Sequence, residues 1–421
     1  MASAQQAVDQ VPGKAWRVVF AGTVINLCLG CLYAWSVWVK YLTDKEYMLS
    51  QGWTPLTAEQ ASNPASLCIL VFALLMIPGG RIQDKYGPTL AASIGGIAIG
   101  LGLIVAGAMK SYAGILLGYG IGGGIGMGIG YAAPTPAALK WFGPHKRGLI
   151  AGLVVSGYGL AAFYVAPVAK WLITSYSMSA SFYVLGVAYL IVILVAAQLL
   201  AWPEPGYVPP QPPATAATAA RAASQTRADW TAGEMLKTWQ FYALVIMFCI
   251  NTQAGLLLIG HAAKMITGIM AAGYLLVSWG AIFNSVGRIG TGIISDKIGR
   301  TNGLIVNYIA AAVIMFLLPY LLSLKNIPLL FLACAIGFWC YGGGLSLFPS
   351  FTADFYGPKN LGFNYGLVFL GWGLGAFMPK LAGRIYDKYQ SYDYAFYIAG
   401  ILLIVGIVLA LVTKRPRYST E

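Results

Sequence analysis

The chain has 421 residues, of which 58% are hydrophobic and only 9% charged. Soluble domains carry about 25% charged residues, so this composition excludes a soluble globular protein and predicts a polytopic membrane protein. The net charge of +13 belongs to basic loops on one membrane face rather than to nucleic-acid binding.

The apolar runs are too long for tilted barrel strands, so the spans are helices. The 52 glycines let helix backbones approach closely in a bilayer. His145 and His261 are the two histidines, too few for a multi-histidine metal site. Cys28, Cys31, Cys68, Cys249, Cys334 and Cys340 all fall in apolar runs without disulfide spacing. Cys28 and Cys31, one helical turn apart, read as small packing residues. No metal and no cofactor is expected.

In chain order, a polar tail (1–15) precedes a first span with no small-residue cleavage site behind it, so no cleaved signal peptide is expected. Twelve spans follow, at about 16–40, 62–80, 89–109, 113–138, 148–172, 180–202, 239–261, 268–294, 303–323, 328–350, 362–383 and 394–413. They form an N-terminal six-helix bundle (16–202) and a C-terminal one (239–413), with a tail at 414–421. The segment 203–238 contains Pro209-Pro210-Gln211-Pro212-Pro213 and then Ala/Thr repeats, a composition expected to be an extended or disordered linker. With both termini inside, Lys and Arg divide sixteen inside to nine outside, which predicts a cytoplasmic linker and tails. The basic loop after span eleven is at odds with that bias.

The halves repeat. Gly80-Arg-Ile-Gln-Asp84-Lys85-Tyr-Gly87 recurs as Gly292-Ile-Ile-Ser-Asp296-Lys297-Ile-Gly299-Arg300, offset by 212 residues. Trp141-Phe-Gly-Pro144 recurs as Phe355-Tyr-Gly-Pro358, offset by 214, and Ile25-Asn26 with Gly30 recurs as Ile250-Asn251 with Gly255. Glycine allows a helix end to approach its neighbour, and the Asp either caps a helix N-terminus or pairs with a nearby cation. Two copies of this loop in two six-span halves resemble the major facilitator superfamily. The resemblance implies an all-α membrane protein of two pseudo-symmetric bundles, working by alternating access around a midplane site. Asp84, Lys85, Asp296, Lys297 and Arg300 are then the conformational loop motif.

Arg288 is the one Lys, Arg, Asp or Glu well inside an expected span. It lies eight residues before Asp296, about 12 Å into the membrane at 1.5 Å per residue. A charge there costs at least a few kcal/mol. It is either held by backbone carbonyls and polar side chains, or it faces a transient anion; the second reading makes it a carboxylate anchor. Asn284 sits one turn back on the same face. Tyr33, Tyr131, Tyr158, Tyr341 and Tyr365 lie in Gly-rich stretches, where a hydroxyl can donate to a carboxylate.

Tyr33-Ala-Trp-Ser36, Lys146-Arg-Gly148, Ser156-Gly-Tyr-Gly159, Asn284-x-x-x-Arg288, Leu347-Phe-Pro-Ser350 and Asn364-Tyr-Gly366 together resemble the oxalate:formate antiporter family. That family is related to the monocarboxylate transporters, including bacterial lactate-transporting members. The resemblance implies that Arg288 holds the substrate carboxylate and that Tyr33, Tyr131, Tyr158 and Tyr341 line the cavity. Trp372 stands where the oxalate antiporter has a second buried lysine, which disfavours a dianion. Val37 stands where animal monocarboxylate transporters have a lysine, and Asn284 where they have an aspartate.

The expected function is secondary active transport of small monocarboxylates such as L-lactate or pyruvate by proton symport. Its partners are the acid, a proton and the lipid bilayer of a bacterial inner membrane, with the monomer as the working unit. No carboxylate relay is present, so the proton rides on the acid, on water or on His261. Organic-anion exchange is the alternative; an organic-acid sensor would need an output domain, and an enzyme would need paired catalytic groups in the spans.

Overall fold

The computed structural model describes residues 11–210, 229–265 and 274–417. The expected Ala/Thr-rich middle of the linker and the first residues of the expected eighth span lie outside the described residues. Among the described residues, eleven helices are long and apolar enough to cross a membrane. They are α1 (Gly13–Leu42), α2 (Glu59–Tyr86), α3 (Pro88–Met109), α4 (Tyr112–Leu139), α5 (Pro144–Ser175), α6 (Met178–Ala197), α7 (Trp239–Ile259), α9 (Arg300–Leu324), α10 (Ile327–Tyr356), α11 (Leu361–Tyr389) and α12 (Asp393–Val412). Between α7 and α9 runs α8, Tyr274–Ile298. It is long enough to span but more polar, because it carries Asn284, Ser285, Arg288, Thr291, Ser295 and Asp296. Large apolar side chains such as Phe163, Ile191, Val306, Leu332 and Val408 point outward, as a lipid-facing surface requires.

Helices α10 and α11 run further than the hydropathy pattern suggests, to Tyr356 and Tyr389. The last turns are polar, so hydropathy alone ends them early; the first extension brings Asp354 into a helix. The end of the expected linker is also ordered. Thr231 and Glu234 form a capping box on a short helix, Ala232–Leu236. Trp230 donates its backbone N–H to the Tyr356 carbonyl at 2.9 Å, and its own carbonyl accepts from Asn360 and Asn364 at 2.9 and 3.1 Å.

The helices that line the centre depart from regular α geometry. α1 tightens to a 3₁₀ turn over Gly30–Ala34, and α4 is π-helical over Leu116–Gly123. α11 is interrupted after Val368 and after Gly375. Such breaks are tolerated at membrane depth where the backbone is covered by neighbouring helices or lines a cavity.

Glycines join the bundles through two equivalent contacts. A side chain at Gly80 of α2 would run into the Gly362 carbonyl of α11, and one at Gly148 of α5 into the Gly292 carbonyl of α8. The offsets of 212 and 214 residues convert one contact into the other. The internal repeat is therefore a pseudo-twofold in space. Gly148→Val should push α5 from α8 at a cost of about 1–3 kcal/mol. Spin labels on the two helix ends should report a longer distance and thermal unfolding a lower midpoint; an unchanged distance would contradict the contact.

Candidate substrate site between the bundles

Arg288 is fully buried where α8 meets α5. Its Nε donates to Asn284 Oδ1 at 3.1 Å and its Nη1 to the Val155 carbonyl of α5 at 2.6 Å. Its Nη2 has no hydrogen-bond partner. No carboxylate pairs with it among the described residues. Two glycines of α5 make the approach possible: a side chain at Gly152 would strike the Arg288 backbone, and a Cβ at Gly159 would lie 3.0 Å from Arg288 Nε. The seven-residue spacing puts both on one face of α5. The bland reading of a buried arginine, held by a carbonyl and a polar side chain, thus accounts for two of its three nitrogens. The third makes no hydrogen bond among the described residues, and the Tyr33 hydroxyl lies near the guanidinium.

Arg288 closes one side of a cavity whose other walls are Tyr33, Phe72, Tyr131, Tyr158, Leu345, Phe369 and Trp372. Most of the rings meet edge-to-face or tilted, with Tyr33 and Tyr131 each 5.3 Å from Tyr158 and Phe72 5.1 Å from Trp372, while Phe369 stacks on Trp372. The free space is about 10 Å³, where one water needs roughly 10–15 Å³. Tyr341 stands behind this wall rather than in it. Its hydroxyl bonds to that of Tyr33 at 2.8 Å and accepts from Trp372 Nε1 at 3.1 Å. This places a hydrogen bond from α1 to α10 across the bundle boundary. Tyr365 is buried beside Phe369, its hydroxyl unpartnered.

Sequence reasoning missed Phe72, Leu345 and Phe369, and the repeat held the signal. Adding 214 to Tyr131, Val155 and Tyr158 gives Leu345, Phe369 and Trp372, and subtracting 212 from Asn284 gives Phe72. The cavity is a pseudo-twofold set of positions filled with different chemistry on the two sides. His261 is not among its walls: its Nε2 contacts the Pro379 carbonyl at 2.9 Å and its ring packs on Tyr392.

On the face that carries both ends of the described chain, each repeated Asp caps a helix of the opposite bundle. Asp84 accepts from the Gly362 and Phe363 N–H groups at 3.2 and 2.8 Å. Asp296 accepts from Gly148 and Leu149 at 3.0 and 2.8 Å. A carboxylate at a helix N-terminus meets orphan N–H groups and the positive end of the dipole. Lys140 lies 3.6 Å from Asp84; burial pulls its ammonium below the ordinary lysine range, against the opposing pull of that carboxylate. In the other half Arg300 bridges Asp296 at 2.6 Å and Asp354 at 3.0 Å, and Arg147 reaches Asp354 at 2.7 Å. Lys140 and Asp354 are equivalent positions with opposite charge.

The two motif lysines, Lys85 and Lys297, stand outside this network of ion pairs. Lys85 is exposed and lies over the Tyr86 ring, while Lys297 is exposed and pairs with no carboxylate among the described residues. Their helix positions turn them away from the opposite bundle, and Lys140 and Arg300 take the role instead.

The chain belongs to the major facilitator superfamily, whose family model matches residues 27–379. It is 28% identical over 407 residues to the oxalate:formate antiporter of Oxalobacter formigenes, covering 94% of this chain and 91% of that one. Monocarboxylate transporter 13 of Bos taurus is 27% identical over 356 residues, covering 83% and 79%. A solved structure of a double Trp mutant of XylE matches with a TM-score of 0.72 over 97% of both chains at 14% identity, a likeness of fold. The chain is thus a membrane transporter of that superfamily, similar to oxalate:formate and monocarboxylate carriers within it, and not an enzyme.

Removing a cap of this kind costs about 1 kcal/mol. In Asp296→Ala the amides of Gly148 and Leu149 should lose protection in hydrogen exchange, and in Asp84→Ala those of Gly362 and Phe363. Unchanged protection would show that the carboxylates do not hold the two bundles together.

Proposed function

We propose that this protein is a secondary active carrier of small monocarboxylates, such as L-lactate and pyruvate-like acids, in a bacterial inner membrane, with both termini cytoplasmic. The observation that carries this reading is the unbonded Nη2 of Arg288 in a cavity otherwise walled by aromatic rings and Leu345. One carboxylate supplies the missing acceptor and the missing charge together. The Tyr33 hydroxyl lies near the same guanidinium and can donate to the second carboxylate oxygen or to an α-hydroxyl. A single cation suits a monoanion; Trp372 puts an indole where a dianion would need a second charge.

A three-carbon acid needs more room than the cavity offers. Admitting it requires α1 and α10 to part, with the Tyr33–Tyr341 bond broken and its hydroxyls passed to the ligand. That exchange links occupancy to the bundle interface, which is what alternating access demands. A proton moving with the anion keeps the step electroneutral. His261 sits outside the cavity, so the proton travels on the acid or on water.

Anion exchange is the second reading, favoured by the likeness to the oxalate:formate antiporter. Uptake of labelled L-lactate into proteoliposomes separates the readings. Wild type should show saturable uptake, accelerated by an outward-acid pH step. Arg288→Ala should lose at least tenfold while still folding and reconstituting. Uptake that strictly requires internal anion would favour exchange, and normal uptake by Arg288→Ala would reject the carboxylate anchor.

A further inference from the structure

A second basic cavity lies on the face that carries both ends of the described chain, nine residues along α8 from Arg288, or about 13 Å. It is an open pocket of about 530 Å³ between the α8–α9 turn, the end of α10 and the end of α12. Four cations line it, Lys297, Arg300, Lys414 and Arg415, against one carboxylate, Asp354. Both Asp354 oxygens are already taken, by Arg147 and Arg300. Lys297, Lys414 and Arg415 have no carboxylate partner among the described residues. Arg415 Nη1 is buried with no hydrogen bond. The long helix α9 starts here behind Gly299, whose φ is 91° and which offers no side-chain cap. Its first N–H groups therefore add to the positive potential.

The rim of this pocket is apolar. Ile298 and Leu411, both in its lining, are 42% and 62% exposed, and Val412, next to Leu411 on α12, is 55% exposed. They sit at the ends of α8 and α12, where a spanning helix meets the membrane boundary. A basic recess with an apolar lip at the membrane boundary fits an amphiphile: an anionic phosphate on the cations and acyl chains along the lip. Inorganic phosphate satisfies the first feature and makes no use of the second. We infer that this pocket binds the headgroup of an anionic phospholipid. The inference does not depend on what the carrier transports, since the pocket lies wholly on the C-terminal bundle and the end of the chain.

Lipid retention in native mass spectrometry, with the full chain purified in detergent, tests it. Phosphatidylglycerol should be retained over phosphatidylcholine. Lys414→Gln with Arg415→Gln should weaken phosphatidylglycerol binding on the order of thirtyfold, about fivefold per cation. Adding Lys297→Gln should cost about fivefold more. Inorganic phosphate at matched ionic strength should not displace the lipid. Lys414 is exposed, so Lys414→Gln alone carries a fivefold test if the double variant fails to fold. Equal retention of phosphatidylcholine, or wild-type affinity in the neutralised variants, would overturn the proposal. Displacement by inorganic phosphate at equal concentration would instead make the pocket a simple anion site.

Discussion

A fully buried guanidinium with one nitrogen left unbonded is the constraint on which the centre of this molecule depends. Removing such a charge from water costs several kcal/mol. The protein offsets part of that with the Val155 carbonyl and Asn284. Reaching Val155 brings α8 hard against α5, and glycines at 152 and 159 are what let it. The same contact fixes the distance between the bundles at the level of the cavity, so binding chemistry and bundle geometry are not separable here.

The pseudo-twofold gives the rest its form, and its violations give it direction. Glycine contacts and Asp caps obey the repeat, because they serve the mechanical task of holding two bundles together on one face. The site residues break it. Asn284 and Arg288 on α8 correspond to Phe72 and Met76 on α2, and Tyr158 corresponds to Trp372. Charge therefore sits on one side and aromatic surface on the other. A small anion would lie off the axis, against Arg288, while the opposing rings exclude water and strengthen the pairing. At the face that carries both ends of the described chain the same logic recurs. Lys140 and Asp354 occupy equivalent places with opposite sign, and the C-terminal half recruits Arg147 and Arg300 to complete a larger network.

Much of the fold was legible because bilayer chemistry leaves few choices. Long apolar runs, a repeated G-x-x-x-D-K-x-G loop and an isolated arginine lead to helices, two halves and a centre. The helix ends were harder: Asp354 lies on a polar extension of α10 that hydropathy ends early, and the docked turn at Trp230 is set by tertiary hydrogen bonds, not composition. Arg288, Asn284, Tyr33, Tyr131, Tyr158 and Trp372 do converge, since buried charge and clustered hydroxyls in Gly-rich helices stand out. Phe72, Phe369 and Leu345 are ordinary apolar residues taken singly, and only the repeat marks them. Tyr341 was expected in the wall; it braces Tyr33 and Trp372 from behind, a distinction of side-chain direction that spacing does not carry. Lys85 and Lys297 look equivalent to their motif neighbours in sequence, yet they face away from the opposite bundle.

The most direct test of the account is the distance between the ligand carboxylate and Arg288. Dipolar-recoupling solid-state NMR on reconstituted protein, with ¹³C-carboxyl L-lactate and ¹⁵N-guanidinium arginine, measures it. A carboxyl carbon should lie within about 4 Å of a guanidinium nitrogen, as a direct hydrogen bond requires. That coupling should vanish in Arg288→Lys. A bound lactate without such a coupling, or one whose coupling survives the substitution, would show that the buried charge is structural and that the carboxylate is held elsewhere.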